Sequence, residues 1–164
     1  MNLRQPALAA LIALGAVVFA AQLVTVERVN PPAASGAPLA VPEQIESLLS
    51  RACYDCHSNR TRWPWYSRIA PASWLIARDV ASGRKELNFS EWGSYYPQTR
   101  KRKLQWMGRV LHERSMPPWT YRLTHPGARL NAAERATLDS WIESGISTTA
   151  PRPATDQDRM TGRK

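Results

Sequence analysis

The sequence predicts an all-α protein, and three observations support this prediction. Apolar residues recur at helical spacing in several separate stretches. No stretch shows sustained alternation of apolar and polar residues, which is the pattern of a half-buried strand. The 13 prolines interrupt the chain too often for long strands, and the 43% hydrophobic content is typical of a folded protein.

Composition divides the 164 residues into four parts. Residues 1–28 hold an apolar segment, residues 29–41 are rich in proline, residues 42–146 carry the helical periodicity, and residues 147–164 lack it. We therefore expect one globular domain, preceded by an extended linker and followed by a disordered tail.

The apolar segment runs from Ala7 to Val24, with Gln22 as its only polar residue, and Arg4 precedes it. Its length is at the lower edge for a membrane-spanning helix, and the positive charge ahead of it favours an N-terminus in the cytoplasm. We expect a single-pass anchor in a bacterial inner membrane, with the domain facing the periplasm. A small-residue motif ending at Ala20 leaves a cleaved signal peptide, and a soluble periplasmic protein, as the alternative.

The first two predicted helices of the domain lie on either side of a cysteine pair. The first begins near Pro42, which suits a first helical turn, and ends at Cys53. Its apolar face consists of Ile45, Leu48, Leu49 and Ala52. The second runs from Trp74 to Gly83, where the glycine is expected to end it.

Two further helices are predicted towards the C-terminus. One runs from about Gln98 to Arg114 and must end before the two prolines of the MPPW motif. The last begins at Asn131, a good N-cap, with Glu134 three residues later in the capping-box position. Gly145 is expected to end it.

Both cysteines of the chain lie in the sequence CYDCH, as Cys53 and Cys56, and His57 follows directly. C-x-x-C-H is the attachment pattern of haem c, in which the two thiols add across the porphyrin vinyl groups and the imidazole binds the iron. The spacing lets one helical turn present both sulfurs to one edge of the ring. We therefore predict one covalent haem c per chain.

Other interpretations of the motif are weaker. A redox dithiol is expected after a strand in a βαβ unit, and no strand is predicted. A structural zinc site needs four ligands, and only His112 and His125 could complete it. A disulfide between cysteines so close in sequence would restrain little conformational entropy.

A haem iron in such a site usually takes a second axial ligand. Met116 is the main candidate, because Pro117 and Pro118 stiffen the loop that holds its thioether. Met107 lies on the apolar stripe of a helix, where core packing is expected. His125 is the alternative sixth ligand.

The formal net charge of +9 points to an acidic partner. Nucleic acid is not expected, because the sequence shows no zinc-finger, RNP or basic-zipper pattern. The run RKRK at residues 100–103 is a candidate docking patch for an acidic redox partner or a membrane surface, although a solvated helix face is the simpler interpretation. Most of the tryptophans are expected in the core or against the haem.

Five segments occur in a characteristic order along residues 30–145. They are NPP at 30–32, the run from 52 to 76 that contains CYDCH, GRKELNFSEW at 83–92, MPPW at 116–119 and HPGARLNAAERATLDSWI at 125–142. Together they resemble the bacterial haem-binding domain family, small exported cytochrome c-like proteins. The resemblance implies covalent haem at Cys53 and Cys56 with His57 as the proximal ligand.

The sequence therefore predicts a small cytochrome c-like helical domain around one haem, tethered to a membrane and transferring single electrons. No catalytic constellation is apparent, because there is no Ser-His-Asp set and there are too few histidines for a distal acid–base pair. Two alternatives stay open. One is a haem-based gas or redox sensor in which Met116 is displaced, and the other is a peroxidase-like enzyme with an open sixth position.

Overall fold

In the computed structural model, which describes residues 4–32 and 39–149, every regular element is helical and no strand occurs in these two ranges. Its α-helices are α1 (Arg4–Gln22), α2 (Glu43–Ala52), α3 (Tyr54–His57), α4 (Ala72–Glu86), α5 (Pro97–His112), α6 (Trp119–Thr124) and α7 (Ala132–Thr149). Short 3₁₀ turns lie at Trp65–Arg68, Phe89–Ser94 and Pro126–Ala128. The predicted all-α class is confirmed.

The described residues form two compact units. The first comprises residues 4–32, 39–40 and 49–93, and it contains α1, the last turn of α2, α3 and α4. The second comprises residues 41–48 and 94–149, and it contains α5, α6 and α7. The four-part division by composition stays a prediction. Most of the predicted tail, residues 150–164, and part of the predicted linker, residues 33–38, lie outside the described residues.

The first unit is built around the packing of α3 and the 3₁₀ turn 65–68 against α4. Its buried apolar side chains are Leu49, Ala52, Tyr54, Ala70, Val80 and Phe89. The rings of Tyr54 and Phe89 pack in a tilted arrangement with centroids 5.4 Å apart. This core holds α3, which carries the cysteine and histidine motif, against α4.

The second unit is built around the packing of α5 on α7. Its buried apolar side chains are Ile45, Leu48, Leu104, Met107, Leu111, Ala128, Leu130, Leu138 and Ile142. Met107 is 6% exposed, so its predicted place in the core is confirmed. Leu138 is fully buried, as its position on the apolar stripe of α7 requires.

Two predicted helix ends are wrong, and one physical reason explains both. α4 continues past Gly83 and α7 continues past Gly145. A Cβ at Gly83 would lie 2.5 Å from the carbonyl oxygen of Cys56, and a Cβ at Gly145 would lie 2.8 Å from Cδ1 of Leu104. Each glycine therefore permits a close approach between two packed helices, and neither ends its own helix.

The predicted membrane anchor is wrong. None of the helices within residues 4–32 and 39–149 is long and apolar enough to cross a membrane. α1 ends at Gln22, so Leu23 and Val24, the last residues of the predicted apolar run, lie outside the helix. The helical part of the run is therefore shorter than the roughly 20 apolar residues that span a bilayer. The predicted single-pass location in an inner membrane is overturned with it.

The last residue of α1 and the chain that follows it, residues 22–32, are hydrogen-bonded to the rest of the first unit, and we call this stretch the N-terminal segment. Nε2 of Gln22 donates to the carbonyl of Ala70 at 3.3 Å, and Oε1 of Gln22 accepts from the Ala70 amide at 2.9 Å. The indole of Trp74 donates to the carbonyl of Val24 at 3.1 Å. These bonds fix the path of the segment over the unit.

The predicted capping box at the start of α7 is confirmed. The amide of Asn131 donates to Oε2 of Glu134 at 2.8 Å, and the amide of Glu134 donates to Oδ1 of Asn131 at 2.9 Å. Asn131→Ala should lower the free energy of unfolding by about 1 kcal/mol in chemical denaturation. Ser140→Ala, at an exposed position of the same helix, should change it by less than about 0.5 kcal/mol. Equal losses in the two variants would contradict a role for the cap.

Candidate functional site

The two cysteines and the histidine of the motif lie in and beside α3. Cys53 is the N-cap of α3, and Cys56 and His57 are its last two residues. The amide of Cys53 donates to the carbonyl of Leu49 at 2.8 Å, and the amide of His57 donates to the carbonyl of Cys53 at 2.9 Å. One helical turn therefore carries both half-buried thiols three residues apart, the spacing of neighbours on a helix surface.

The imidazole of His57 is oriented by the C-terminal end of α4. Its Nδ1 donates to the carbonyl of Gly83 at 2.9 Å and to the carbonyl of Leu87 at 3.1 Å. Because a carbonyl only accepts, Nδ1 carries the proton and the lone pair of the neutral ring lies on Nε2. Metal-binding histidines are usually held in this way, with the second nitrogen donating to a carbonyl or carboxylate. His57 is thus prepared to bind a metal through Nε2.

Gly83 serves this site in two ways. Its missing side chain lets α4 approach Cys56, and its carbonyl accepts the bond from His57. Sequence reasoning missed both roles, because it treated the glycine as the end of a helix. The one available signal was the GRKELNFSEW segment of the family resemblance, which begins at this residue.

Arg84 holds the loop after α3, and sequence reasoning missed it as well. Its guanidinium donates to the carbonyl of Ser58 and to Oγ1 of Thr61, each at 2.9 Å. It also donates to the carbonyl of Val29 and to Oδ1 of Asn30, each at 2.9 Å. One side chain therefore ties the N-terminal segment to the loop beside the motif. Burial lowers the pKa of Arg84 below its ordinary value.

Buried polar side chains brace the same loop. Oδ1 of Asp55, a residue 6% exposed, accepts from the amide and from Nε of Arg62 at 3.0 and 3.2 Å. Oγ1 of Thr61 donates to the carbonyl of Asp55 at 2.7 Å. Nδ2 of Asn88 donates to Oδ1 of Asn59 at 2.8 Å. A buried network whose members are satisfied makes the loop rigid.

The electrostatics of the thiols disfavour a redox dithiol. Burial is the main cause that raises the pKa of Cys53 to about 12, and the charge of Cys56 adds to it. Burial also raises the pKa of Cys56 to about 11, with Asp55 and Asp79 adding to the effect and Arg84 opposing it. Reactive dithiols show the opposite shift, because the thiolate is their working form.

The zinc interpretation gains no support from the described residues. In residues 4–32 and 39–149, no three His, Cys, Asp or Glu side chains gather into a group that could hold a metal ion. His112, one of the two histidines that a zinc site would need, is exposed at the end of α5. A tetrahedral zinc site would require ligands that these ranges do not bring to the cysteines.

Met116 lies in the second unit, in the loop after α5, and is 37% exposed. Arg114 adopts a left-handed backbone with φ 57°, and the amides of Ser115 and Met116 donate to the carbonyl of Val110 at 3.1 and 3.3 Å. A left-handed residue followed by such bonds is a common helix C-terminal motif. The turn restrains the loop before Met116, and Pro117 restrains it after.

His125, the alternative sixth ligand, packs on the end of α6. Its ring stacks on Tyr121 with centroids 4.0 Å apart, and Nδ1 donates to the carbonyl of Tyr121 at 3.2 Å. The structure thus brings Cys53, Cys56 and His57 together in one unit. Met116 and His125 both belong to the other unit, and the identity of the sixth ligand stays a prediction.

Two of the tryptophans are strongly exposed, and a third carries an unsatisfied donor. Trp65 is 75% exposed and Trp119 is 67% exposed, so neither lies in the protein core. Trp63, in the same unit as the motif, has a buried Nε1 with no hydrogen-bond partner. A buried indole N–H normally finds an acceptor, and the carboxylates of a haem would supply one. This orphan donor and the orientation of His57 both fit a haem.

An all-helical protein that presents two thiols and an imidazole Nε2 from one helical turn has the donor set of a haem protein. A family model described as a haem-binding domain matches residues 16–144. The chain belongs to this haem-binding domain family, and its cofactor is haem. No curated protein and no solved structure matches the chain.

Proposed function

We propose that the chain binds one haem c covalently through Cys53 and Cys56, with Nε2 of His57 as the axial ligand, and that it transfers single electrons. The observation that carries this proposal is the imidazole of His57, which two backbone carbonyls orient beside two thiols of the same helical turn. When bound, the haem supplies an iron that cycles between the ferric and ferrous states.

The two thiols make the attachment. Each sulfur forms a bond to one vinyl carbon while its proton goes to the other vinyl carbon, so the carbon–carbon double bond is lost and no oxidant or reductant is needed. The raised pKa of both thiols keeps that proton on sulfur near neutral pH. The bonds from Nδ1 to the carbonyls of α4 increase the basicity of His57 and hold its ring in one orientation.

Met116 is the sixth ligand in this proposal, with His125 as the alternative. The Met116 thioether is partly exposed on a loop that Arg114 and Pro117 restrain, so it loses little conformational freedom on binding iron. Sulfur is a soft donor that favours ferrous iron and raises the midpoint potential. His125 is committed to contacts with Tyr121 on its own helix end.

The partner in this proposal is a redox protein with an acidic docking surface. The formal net charge of +9 favours such a partner, and α5 carries the basic run at residues 100–103 after its first three residues. Further along α5, Trp106 is 55% exposed and Arg109 lies 5.2 Å from its ring centroid. Lys103 lies 4.8 Å from the ring centroid of Tyr95. Exposed tryptophan and arginine side chains, such as Trp106 and Arg109, are enriched at protein interfaces.

An electron carrier and a gas-binding protein differ in the sixth ligand of the iron, so identifying this ligand tests the proposed function. The oxidised protein should show the near-infrared sulfur-to-iron charge-transfer band, and the reduced protein should resist carbon monoxide. Met116→Ala should keep the haem attached, lose the band, bind carbon monoxide and lower the midpoint potential. His125→Ala is the matched control and should retain the band and the potential.

Two outcomes would contradict this assignment. If the wild type lacks the band and ligation is lost in His125→Ala, the iron has two histidine ligands. If the reduced wild type binds carbon monoxide readily, electron transfer through a closed site is wrong. A sensor in which Met116 is displaced, or a peroxidase-like enzyme, would then be the better description.

A further inference from the structure

A small cavity in the second unit combines positive charge with an apolar wall. Its volume is about 210 Å³, and Trp119, Arg122, Leu123 and Arg129 line it. Trp119 and Leu123 stand one turn apart on α6 and are 67% and 61% exposed. The lining thus contains two cations, two large apolar side chains and no carboxylate.

Arg122 carries an unsatisfied donor at this cavity. Its Nε is buried and has no hydrogen-bond partner. A buried donor without an acceptor destabilises the folded state, and more so when the group is charged. The guanidinium of Arg122, which also lines the cavity, therefore keeps a hydrogen-bond donor without an acceptor.

Arg129 brings a second positive charge to the same place. The 3₁₀ turn at Pro126–Ala128 packs against α6, and Nε of Arg129 donates to the carbonyl of Arg122 at 3.2 Å. Among residues 4–32 and 39–149, neither guanidinium forms an ion pair with an acidic side chain. Two like charges that line one cavity repel each other. An anion bound between them attracts both guanidinium groups and offsets that repulsion.

We propose that this cavity binds a carboxylate carried on an apolar body. The guanidinium groups of Arg122 and Arg129 pair with the carboxylate oxygens, and Trp119 and Leu123 cover the adjoining apolar part. A small inorganic anion would leave both apolar side chains exposed, which disfavours it. Two sources carry this chemistry, a propionate of the haem and a free apolar acid. The propionate source rests on the proposed function, whereas the free-acid source does not.

One experiment tests the free acid. Purified haem-loaded protein is titrated with octanoate by calorimetry, with octanol as the uncharged probe. A free-acid site should bind octanoate saturably, and Arg122→Met or Arg129→Met should weaken binding at least about 10-fold, the loss expected for one charge-assisted hydrogen bond. Arg68→Met, an exposed arginine of the 3₁₀ turn 65–68, is the matched control and should leave binding unchanged.

A second experiment tests the propionate. A cation beside a propionate lowers its pKa, so removal of the cation should move the inflection in the midpoint potential against pH upward by about 1 unit. Arg122→Met and Arg129→Met should both show this shift, and Arg68→Met should not. The absorbance of the attached haem is recorded for every variant, so a failure of haem attachment is seen separately.

The combined results assign the source or overturn the site. Octanoate binding that depends on both arginines supports a free acid, and a shifted inflection without octanoate binding supports a propionate. If folded Arg129→Met protein, whose substitution lies at an exposed position, shows neither effect, the cavity is not a carboxylate site.

Discussion

Replacing both Cys53 and Cys56 by alanine should abolish covalent haem attachment. Wild-type protein matured with a haem-attachment system should keep its haem through acid–acetone extraction and through a denaturing gel. Each single variant should retain one thioether bond and load several-fold less haem, whereas the double variant should retain none. The reason is that Cys53 and Cys56 are the two cysteines of the chain, so no other thiol is available to form a thioether bond.

Ser47→Ala is the control, because Ser47 is exposed on α2 and carries no thiol. It should load haem like the wild type. Complete release of haem from the wild type in acid–acetone would show that the cofactor is bound without covalent bonds. Haem retained on a denaturing gel by the double variant would show that another residue makes the attachment. Either result would contradict the proposed role of the two cysteines.

Among substitutions that add one methyl group to the first unit, Gly83→Ala should lower the free energy of unfolding the most. The new Cβ would lie 2.5 Å from the carbonyl oxygen and 3.0 Å from the carbonyl carbon of Cys56, and these backbone atoms cannot move independently. α4 must therefore shift away from α3, which strains the bond from His57 to the Gly83 carbonyl. We expect the free energy of unfolding to fall by about 2–4 kcal/mol. Overpacking and the weakened hydrogen bond lower it, and the higher helix propensity of alanine offsets part of the loss.

Gly108→Ala is the matched control on a central glycine of α5. Its Cβ would meet only Cγ2 of Ile142, at an ordinary distance of 3.7 Å. Helix propensity should then raise stability by up to about 1 kcal/mol. Thermal unfolding measures the stability of both variants. The midpoint potential of haem-loaded Gly83→Ala protein should also rise, because a less basic His57 stabilises ferric iron less. Equal stability changes in the two variants would contradict the close approach at Gly83.

The features that the sequence predicted well depend on residues within one or two helical turns. The apolar face of α2 and the position of Cys53 at its end follow from a spacing of three and four residues. The capping box of α7 needs only Asn131 and Glu134, three residues apart. The thiol and imidazole side chains of the CYDCH motif also lie within five consecutive residues, and their role as haem ligands stays a prediction.

The features that the sequence did not predict depend on distant contacts. A glycine that ends a helix and a glycine that admits a neighbouring helix look alike in one sequence, and Gly83 and Gly145 are of the second kind. Arg84 finds acceptors 23 to 55 residues away, which no local pattern indicates. The apolar run from Ala7 has the composition of a membrane span, which is why the sequence predicted an anchor. The end of α1 at Gln22 depends instead on the path of the chain over the first unit, which composition does not show.

The N-terminal segment also bears on where a shortened chain could begin, because it supplies hydrogen-bond acceptors to the residues around the site. A shortened chain that begins at residue 42, where the composition changes, would remove two of the four acceptors that surround Arg84 and the carbonyl that the Trp74 indole contacts. A partly buried cation would then face the loop beside His57 with half of its hydrogen bonds lost. We therefore expect a stably folded fragment of this chain to begin at or before Gln22, about 20 residues ahead of the point at which proline-rich sequence gives way to helical periodicity.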